Sequence, residues 1–352
     1  MGLRIAIAVN GSSDEELAQA STVEISERMG ETTTFSIRYE LDISEGDLPL
    51  LIDGRLDAGS ELSILVPLGD STHCLVKGPV HGQNIHFEHG GAGSWVEIRG
   101  SDTSIIMDRV TKSVVWSDVK DSEAVQSILG NYGYTPDVQI TSAGHFENKH
   151  VLIQRESDLG FIRRLARRNG FHFWVTSDEF GTETAHFKRP PLEGSISAEL
   201  VINLDSPNLA SLDIEWDVER PTSMEGKQLD LNSKTDMDVA VNQTPQSVLG
   251  DRGLNAITGD IRSVHLSAPA DDAGDMQARG EAALIEADWF IRANCQTTLE
   301  NSGALVRAHT VLELRGAGSR FSGKYYVAGV RHSINATEHR MELELVCNGW
   351  GG

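Results

Sequence analysis

Five side chains able to ligate a metal, His73, Cys74, His81, His86 and His89, fall within seventeen residues of one another. Imidazole and thiolate both bind zinc, so this stretch would be the centre of a metal-dependent enzyme if its ligands converged. The spacing speaks against it. No Cys-x-x-Cys or His-Glu-x-x-His pattern is present, and in a strand His86 and His89 point to opposite faces. Histidines on a β hairpin and its turn account for the cluster, and no metal ligand is assigned.

Two glycine runs mimic phosphate loops. Gly318-Ser-Arg-Phe-Ser-Gly323-Lys324 has the right spacing, but Tyr325 stands where a hydroxyl residue should meet Mg²⁺, and the segment that follows reads as a strand rather than a helix. Gly91-Ala-Gly93 has Val96 where a dinucleotide fingerprint needs its third glycine. No cofactor is expected. The 52 Asp and Glu residues put adjacent acids everywhere, so no pair stands out as a glycosidase dyad. There is no Gly-x-Ser-x-Gly elbow. Aromatic residues, at 6%, form no run that would line a sugar groove. No catalytic residue is assigned and the chain is not expected to be an enzyme. The alternatives are a carbohydrate-active hydrolase or a metal enzyme using His73 to His89.

One charged cluster has a pattern. Arg163, Arg164, Arg167 and Arg168 repeat at helical spacing and share a basic face. Their expected partners are carboxylates of the same or a neighbouring protomer. Specific nucleic-acid binding is not expected, since no aromatics are interleaved. These four arginines and Trp350 are the interface candidates.

The elements that carry these residues are mostly strands. Thr34 to Tyr39, Glu61 to Val66 and Trp95 to Ile98 alternate apolar and polar, with dense turn signals between them. Short strands at roughly ten-residue spacing without helices predict a barrel or sandwich over 1–117. Residues 118–190 change character. Asp121 to Gly130 has helical spacing, with Ser122 as cap and Gly130 as stop. Ser157 to Asn169 is a second helix with Ser157 as N-cap and Gly170 in the left-handed position. Phe171 to Val175 then reads as a strand, completing a small α/β insert. Residues 191–352 are predicted to hold a second β-barrel region. In it, Leu212, Ile214 and Trp216 alternate with Asp213, Glu215 and Asp217 on a half-buried strand with one acidic face. Residues 230–260 read as a long polar loop and 271–293 as a helix burying Met276, Ala283, Leu284, Ala287 and Phe290 or Ile291. Val76-Lys-Gly78 and Val327-Ala-Gly329 form a weak internal echo, a hint of two similar β domains.

At 352 residues the chain is long enough for two or three domains with real cores. Its 39% hydrophobic and 23% charged residues exclude wholesale disorder. Net charge is −22 and pI about 4.9, which disfavours binding nucleic acid over the whole surface. Three scattered cysteines do not suggest a disulfide framework, and a reducing compartment fits them. No stretch reaches the ~18 apolar residues of a membrane span, and no targeting segment is read at the N-terminus.

The order of the motifs resembles the baseplate hub proteins of contractile tails, namely the phage late control protein D family and the N-terminal hub part of VgrG spikes. The resemblance rests on several segments. Leu75-Val-Lys-Gly-Pro-Val80 leads to Trp95-Val-Glu-Ile-Arg-Gly-Ser-Asp102. Met107-Asp-Arg109, Lys112, Trp116 and Asn131-Tyr-Gly133 follow. Then come Gln154-Arg-Glu-Ser-Asp-Leu-Gly-Phe-Ile-Arg-Arg-Leu-Ala166, Gly170-Phe-His-Phe173 and Gly323-Lys-Tyr-Tyr-Val-Ala-Gly-Val-Arg-His332. Together they span most of residues 60–346.

That resemblance implies two similar β-barrels beside smaller α/β parts. It implies a homotrimer forming a pseudo-sixfold ring, a symmetry adaptor between a hexameric inner tube above and a trimeric spike below. The implied location is a virion or injection-particle baseplate, assembled in the bacterial cytoplasm and contacting other baseplate proteins without inserting stably in a membrane. The sequence ends at Cys347-Asn-Gly-Trp-Gly-Gly352, where fused spikes continue, so the spike is expected to be a separate protein. The surplus acid is expected to line the bore in part, where it would repel passing DNA.

Overall fold

The computed structural model describes residues 5–41, 52–148, 151–230, 234–267 and 270–351. Most of the strands join one sheet of thirteen. Twelve of them divide into two sets of six. The first set is β1 (Ala6–Val9), β2 (Thr22–Arg28), β3 (Thr34–Glu40), β4 (Glu61–Leu68), β5 (Ser71–His86) and β6 (Trp95–Ser101). The second is β7 (Ile196–Val201), β8 (Ser211–Trp216), β9 (Ile291–Thr298), β10 (Val311–Arg315), β11 (Gly323–Asn335) and β12 (His339–Cys347).

The two sets have the same topology. The first runs β2-β3-β6-β5-β4-β1 across the sheet and the second β8-β9-β12-β11-β10-β7. The end pairs differ only in sense, since β1 meets β4 antiparallel and β7 meets β10 parallel. Each half rolls around its own core, as the barrel reading expects. Val23, Ile25, Ile37, Ile64, Val96 and Ile98 fill the first; Leu312, Leu314, Tyr326, Val327, Leu343 and Leu345 fill the second. Period-two alternation supplies both cores directly from the sequence.

The internal echo is real but displaced by four residues. On β5 the ladder to β6 slips between Val80 and Gly82; on β11 the ladder to β12 slips between Val327 and Gly329. Val80-His81-Gly82, not Val76-Lys77-Gly78, is therefore the counterpart of Val327-Ala328-Gly329. In each case one extra residue bulges and bends a long strand so that it serves two neighbours in turn.

The insert forms as the sequence reading has it, with adjusted ends. Helix α1 spans Asp121–Asn131 and α2 Asp158–Asn169, packed with a sheet of Thr135–Val138, Glu183–Lys188 and His172–Ser177. Ile128, Leu129, Phe161, Ile162, Leu165, Phe173 and Phe187 make its core. Ser157 Oγ accepts from the Gly160 N–H, and Gly170 takes φ +65°. Ser122 is not a cap. Lys120 occupies that position, with the Glu123 carboxylate accepting its N–H, while Ser122 is buried and meets Thr141. Gly130 lies within α1, and Gly133 takes the left-handed conformation beyond it.

Two readings of the second half need correction. The helix over 271–293 is shorter: α3 spans Ala273–Ala287, and Ile291 opens β9. Ala282 and Ile285 are buried on α3 rather than Ala283. Ile291, Ala293 and Cys295 alternate inward, so period two takes over where the apolar run misled the helical reading. The polar stretch 230–260 is no plain loop, since Thr235–Val241 pairs antiparallel with Ser223–Asp230.

Gly78 marks the close crossing of β5 over the chain after β6. A Cβ there would lie 2.0 Å from the Ser101 carbonyl oxygen. Gly78→Ala is expected to cost about 1–3 kcal/mol through forced backbone displacement, read as a lowered midpoint in urea unfolding against wild type.

Candidate functional site

The second half meets the first through one antiparallel ladder. Gly329 to Asn335 of β11 face Arg28 to Thr22 of β2 in seven register pairs. This junction makes β8-β9-β12-β11-β2-β3-β6-β5 a continuous antiparallel sheet of eight strands. It consists of one four-strand unit used twice, head to tail.

Behind the junction, on the core side, lies a buried charged cluster. Arg307 precedes β10 and donates to Glu27 of β2 at 2.6 Å, and to the carbonyls of Cys74 and Leu75 of β5 at 2.8 and 2.9 Å. One guanidinium thus ties the second half to two strands of the first. Burial pushes the Glu27 carboxyl upward, but the charge of Arg307 and then the contact with His332 outweigh it, and Glu27 stays below its ordinary range. His332 Nε2 lies 3.6 Å from Glu27, and its Nδ1 shares a hydrogen bond of 3.0 Å with His339 Nε2. Burial, with His332 alongside, pulls His339 down to about 3.

The opposite face of the eight strands is polar. Arg28 pairs with Glu344 at 2.8 Å and Arg331 with Glu24 at 2.8 Å, both across strands; Arg38 meets Glu40 at 3.6 Å, and Arg99 meets Glu97. Charges of both signs are interspersed on this face. Asp213 and Glu215 on β8 and Glu342 on β12 are exceptions, exposed and without an ion pair among the described residues.

The insert braces the junction from outside. Lys77 of β5 donates to the Gly181 carbonyl at 3.0 Å, and Arg163 to Thr32 Oγ1 at 2.6 Å. Toward the second half, Trp174 stacks on His309 with centroids 4.0 Å apart, and His309 Nδ1 meets Tyr326 Oη at 2.7 Å. Burial pulls His172, beside His309, down to about 4. Arg168 reaches Asp275 of α3 at 2.7 Å and Asp271 at 3.2 Å. His145 sits between Asp121 at 2.7 Å and Asp271 at 3.4 Å; burial opposes its charge, but these carboxylates raise it to about 9.

The four arginines of α2 therefore do not act as one basic face. Arg163, Arg164 and Arg168 are engaged within the chain, Arg164 with Glu156 and the Ile153 carbonyl. Arg167 alone of the four is exposed. Trp350 is half-buried, edge-on to Trp216 at 5.6 Å with Arg320 over its ring at 4.8 Å, which places it beside the β8 edge. The histidines singled out from sequence do not gather. His73 meets Ser71, His81 meets Ser101, His86 stacks on Trp95, and Cys74 is buried. Among the described residues no three His, Cys, Asp or Glu side chains come together to hold an ion. The run Gly318–Phe321 is one helical turn leading into β11. Sequence reasoning missed Arg307, Glu27, His332 and His339; only the polar Glu27 and His332 at inward strand positions hinted at them.

A family model described as the Alg8 N-terminal domain matches residues 2–336. The chain belongs to that family. No curated protein matches it. The Alg8 N-terminal domain fold seen here is similar to that of a 43 kDa tail protein of prophage MuSo2 from Shewanella oneidensis, at TM-score 0.66 and 12% identity over 98% of both chains. A tail protein from Neisseria meningitidis MC58 gives TM-score 0.66 and 12% identity, covering 98% of this chain and 97% of that one. An E. coli type VI secretion component, described as structurally similar to T4 tail proteins, gives 0.59 and 13%, covering 98% and 79%. The family is thus not the late control protein D family named by resemblance, but the tail-hub type of fold stands. No helix among the described residues is long and apolar enough to cross a membrane.

Arg307→Met removes the cation beside the buried Glu27 carboxylate and a donor from the carbonyls of Cys74 and Leu75. With Arg307 itself part-exposed, a loss of about 1–3 kcal/mol is expected, part of it regained in the Arg307→Met, Glu27→Gln double variant, as read by urea unfolding. The pH dependence has two limbs. His339 and His172 are neutral when folded but take up protons near 6.5 when unfolded, so stability falls as pH drops below about 6.5 toward 4. His145 acts oppositely: its contribution is full below about 6.5 and is lost as pH rises through 9. Unfolding midpoints across pH 4–10 are expected to peak between the limbs. A flat profile from 4 to 6.5 would contradict the first.

Proposed function

We propose that this chain is a structural baseplate hub of a contractile tail or injection particle. Three copies form a ring that adapts a hexameric inner tube above to a trimeric spike below, with other baseplate proteins surrounding it. The reading places the protein in the baseplate after assembly in the bacterial cytoplasm.

The observation that carries it is the head-to-tail duplication. A chain holding two units of the same topology offers six quasi-equivalent units in a trimer, with threefold identity and near-sixfold shape. One face of such a ring fits a threefold partner and the other a sixfold one without two different proteins. Likeness of fold to tail proteins supports the same reading. The role needs a rigid collar and no chemistry.

Light scattering of the purified chain, alone and with a candidate spike, is expected to give three times 38.3 kDa. Electron microscopy of particles from producing cells is expected to find the labelled chain between tube and spike. A strictly monomeric chain even with the spike present, or sugar transfer from a nucleotide-sugar donor by the purified chain, would overturn the proposal.

A further inference from the structure

A cavity of about 550 Å³ opens where three parts of the chain meet. The end of α2 and its continuation through Gly170, Phe171 and His172 form one wall. The stretch of α3 from Arg279 to Glu286 forms a second, and the β2–β3 turn at Met29 and Gly30 a third. Sites that enclose small organic molecules have this size and favour such junctions between domains. The hub role makes no use of this space, and a ligand there does not depend on that role.

Met29, Phe171, Leu266, Ala282, Ala283 and Ile285 supply the apolar wall. Two consecutive alanines keep α3 from filling the space. The walls are pinned to each other at two places. At Gly170 the chain runs so close to α3 that a Cβ would lie 2.7 Å from Ile285 Cδ1 and 3.0 Å from Ala282 Cα. The buried Asp275 of α3 accepts from Arg168 of α2 at 2.7 Å and from Arg279 of α3 itself at 3.0 Å. A cavity between pinned elements exists before its ligand arrives, so little reorganisation opposes binding.

The polar groups around it select a charge. Arg167, Arg168 and Arg279 line the cavity against a single acid, Glu286, in a chain that carries 52 acids and only 30 Lys and Arg residues. Arg168 is matched by Asp275 and Asp271, and Arg279 by Asp275. Arg167 is exposed and has no acid partner among the described residues. His172 lines the wall with its Nδ1 out of contact with solvent and without a hydrogen-bond partner. Burial alone acts on this ring and takes it down to about 4, so at neutral pH it is uncharged with one N–H to donate. An unused polar atom in a dry wall carries a cost that a ligand oxygen removes. We propose that the cavity takes a small aliphatic monocarboxylate, its chain on the apolar wall and its carboxylate accepting from the Arg167 guanidinium and the His172 imidazole. Glu286, exposed and without a cation of its own among the described residues, opposes the anion and limits its affinity.

Octanoate and octanol share a chain and differ in the head, so calorimetric titration of the full protein with each reads both parts of the site. Octanoate is expected to saturate at one molecule per chain, to bind about tenfold tighter than octanol, and to raise the unfolding midpoint as its concentration rises. Arg167→Gln, at an exposed position, is expected to weaken octanoate about tenfold and leave octanol unchanged. His172→Phe, which keeps a ring in the wall, is expected to weaken octanoate by a smaller factor, and Glu286→Gln to tighten it about twofold. Ala283→Leu fills the cavity and is expected to abolish binding of both molecules. Unfolding midpoints without ligand show that each variant is folded. Octanoate binding no tighter than octanol, uptake that never saturates, or wild-type octanoate affinity in Arg167→Gln or Ala283→Leu would overturn the site. None of these outcomes touches the hub reading, which the particle labelling tests on its own.

Discussion

The contact of Arg307 with Glu27, Cys74 and Leu75 holds the architecture in place. The halves also share apolar packing, Ile334 and Leu305 against the first core and Met29 against the second, a ladder of backbone hydrogen bonds that gives no sequence preference of its own, and cross-strand ion pairs that are half-exposed and contribute on the order of 0–1 kcal/mol each. The half-buried Arg307 guanidinium, with three fixed acceptors, accepts a narrow range of geometries. It holds the second half to β2 and at the same time reaches β5, so it helps set the angle between the halves. Buried ion pairs add little net stability compared with apolar packing, but losing one partner is costly. Such a group suits a protein whose task is to hold an angle.

The same junction differs between its two faces. On the core side the pairing positions are Glu27, Val330 and His332, and the two polar ones are held by Arg307 and His339. On the opposite face the same ladder carries ion pairs, Arg28 with Glu344 and Arg331 with Glu24, that stay half-exposed. One ladder thus has a core side with a fixed polar arrangement and an outer side whose pairs are screened by water.

Much of this was legible in the sequence and some of it was not, for physical reasons. Strands with strict alternation, such as Thr34 to Tyr39, declare themselves because one face must be dry. Helix α2 was readable end to end because Ser157, Asp158 and Gly170 satisfy its termini locally. Helix α3 was overextended because Phe290 and Ile291 suit a helical stripe and a strand equally, and tertiary pairing with β12 decided between them. The pairing of β2 with β11 joins residues about three hundred positions apart, and no local signal announces it. The chemistry-bearing histidines misled for a related reason. His73 to His89 are close in sequence but lie along and beyond one extended strand, which spreads them. His332 and His339 sit on neighbouring strands and actually touch.

The insert explains why the internal angle is fixed. It spans the junction from outside, with Lys77 and Thr32 bound on one side and Trp174, Arg168 and Arg189 engaged with the second half on the other; Arg189 meets Glu281 of α3 at 3.1 Å. A twisted sheet has no single curvature of its own, so eight strands joined only by their ladder would flex about β11 and β2. Bracing at two points off the hinge line converts that flexible joint into a fixed wedge. If every wedge subtends the same angle, copies added side by side meet their starting point after a whole number of steps rather than spiralling into a filament. Rigidity at the internal joint is therefore the condition for a ring to close, and the burial that keeps His172 and His309 neutral between insert and barrel opposes their protonation there.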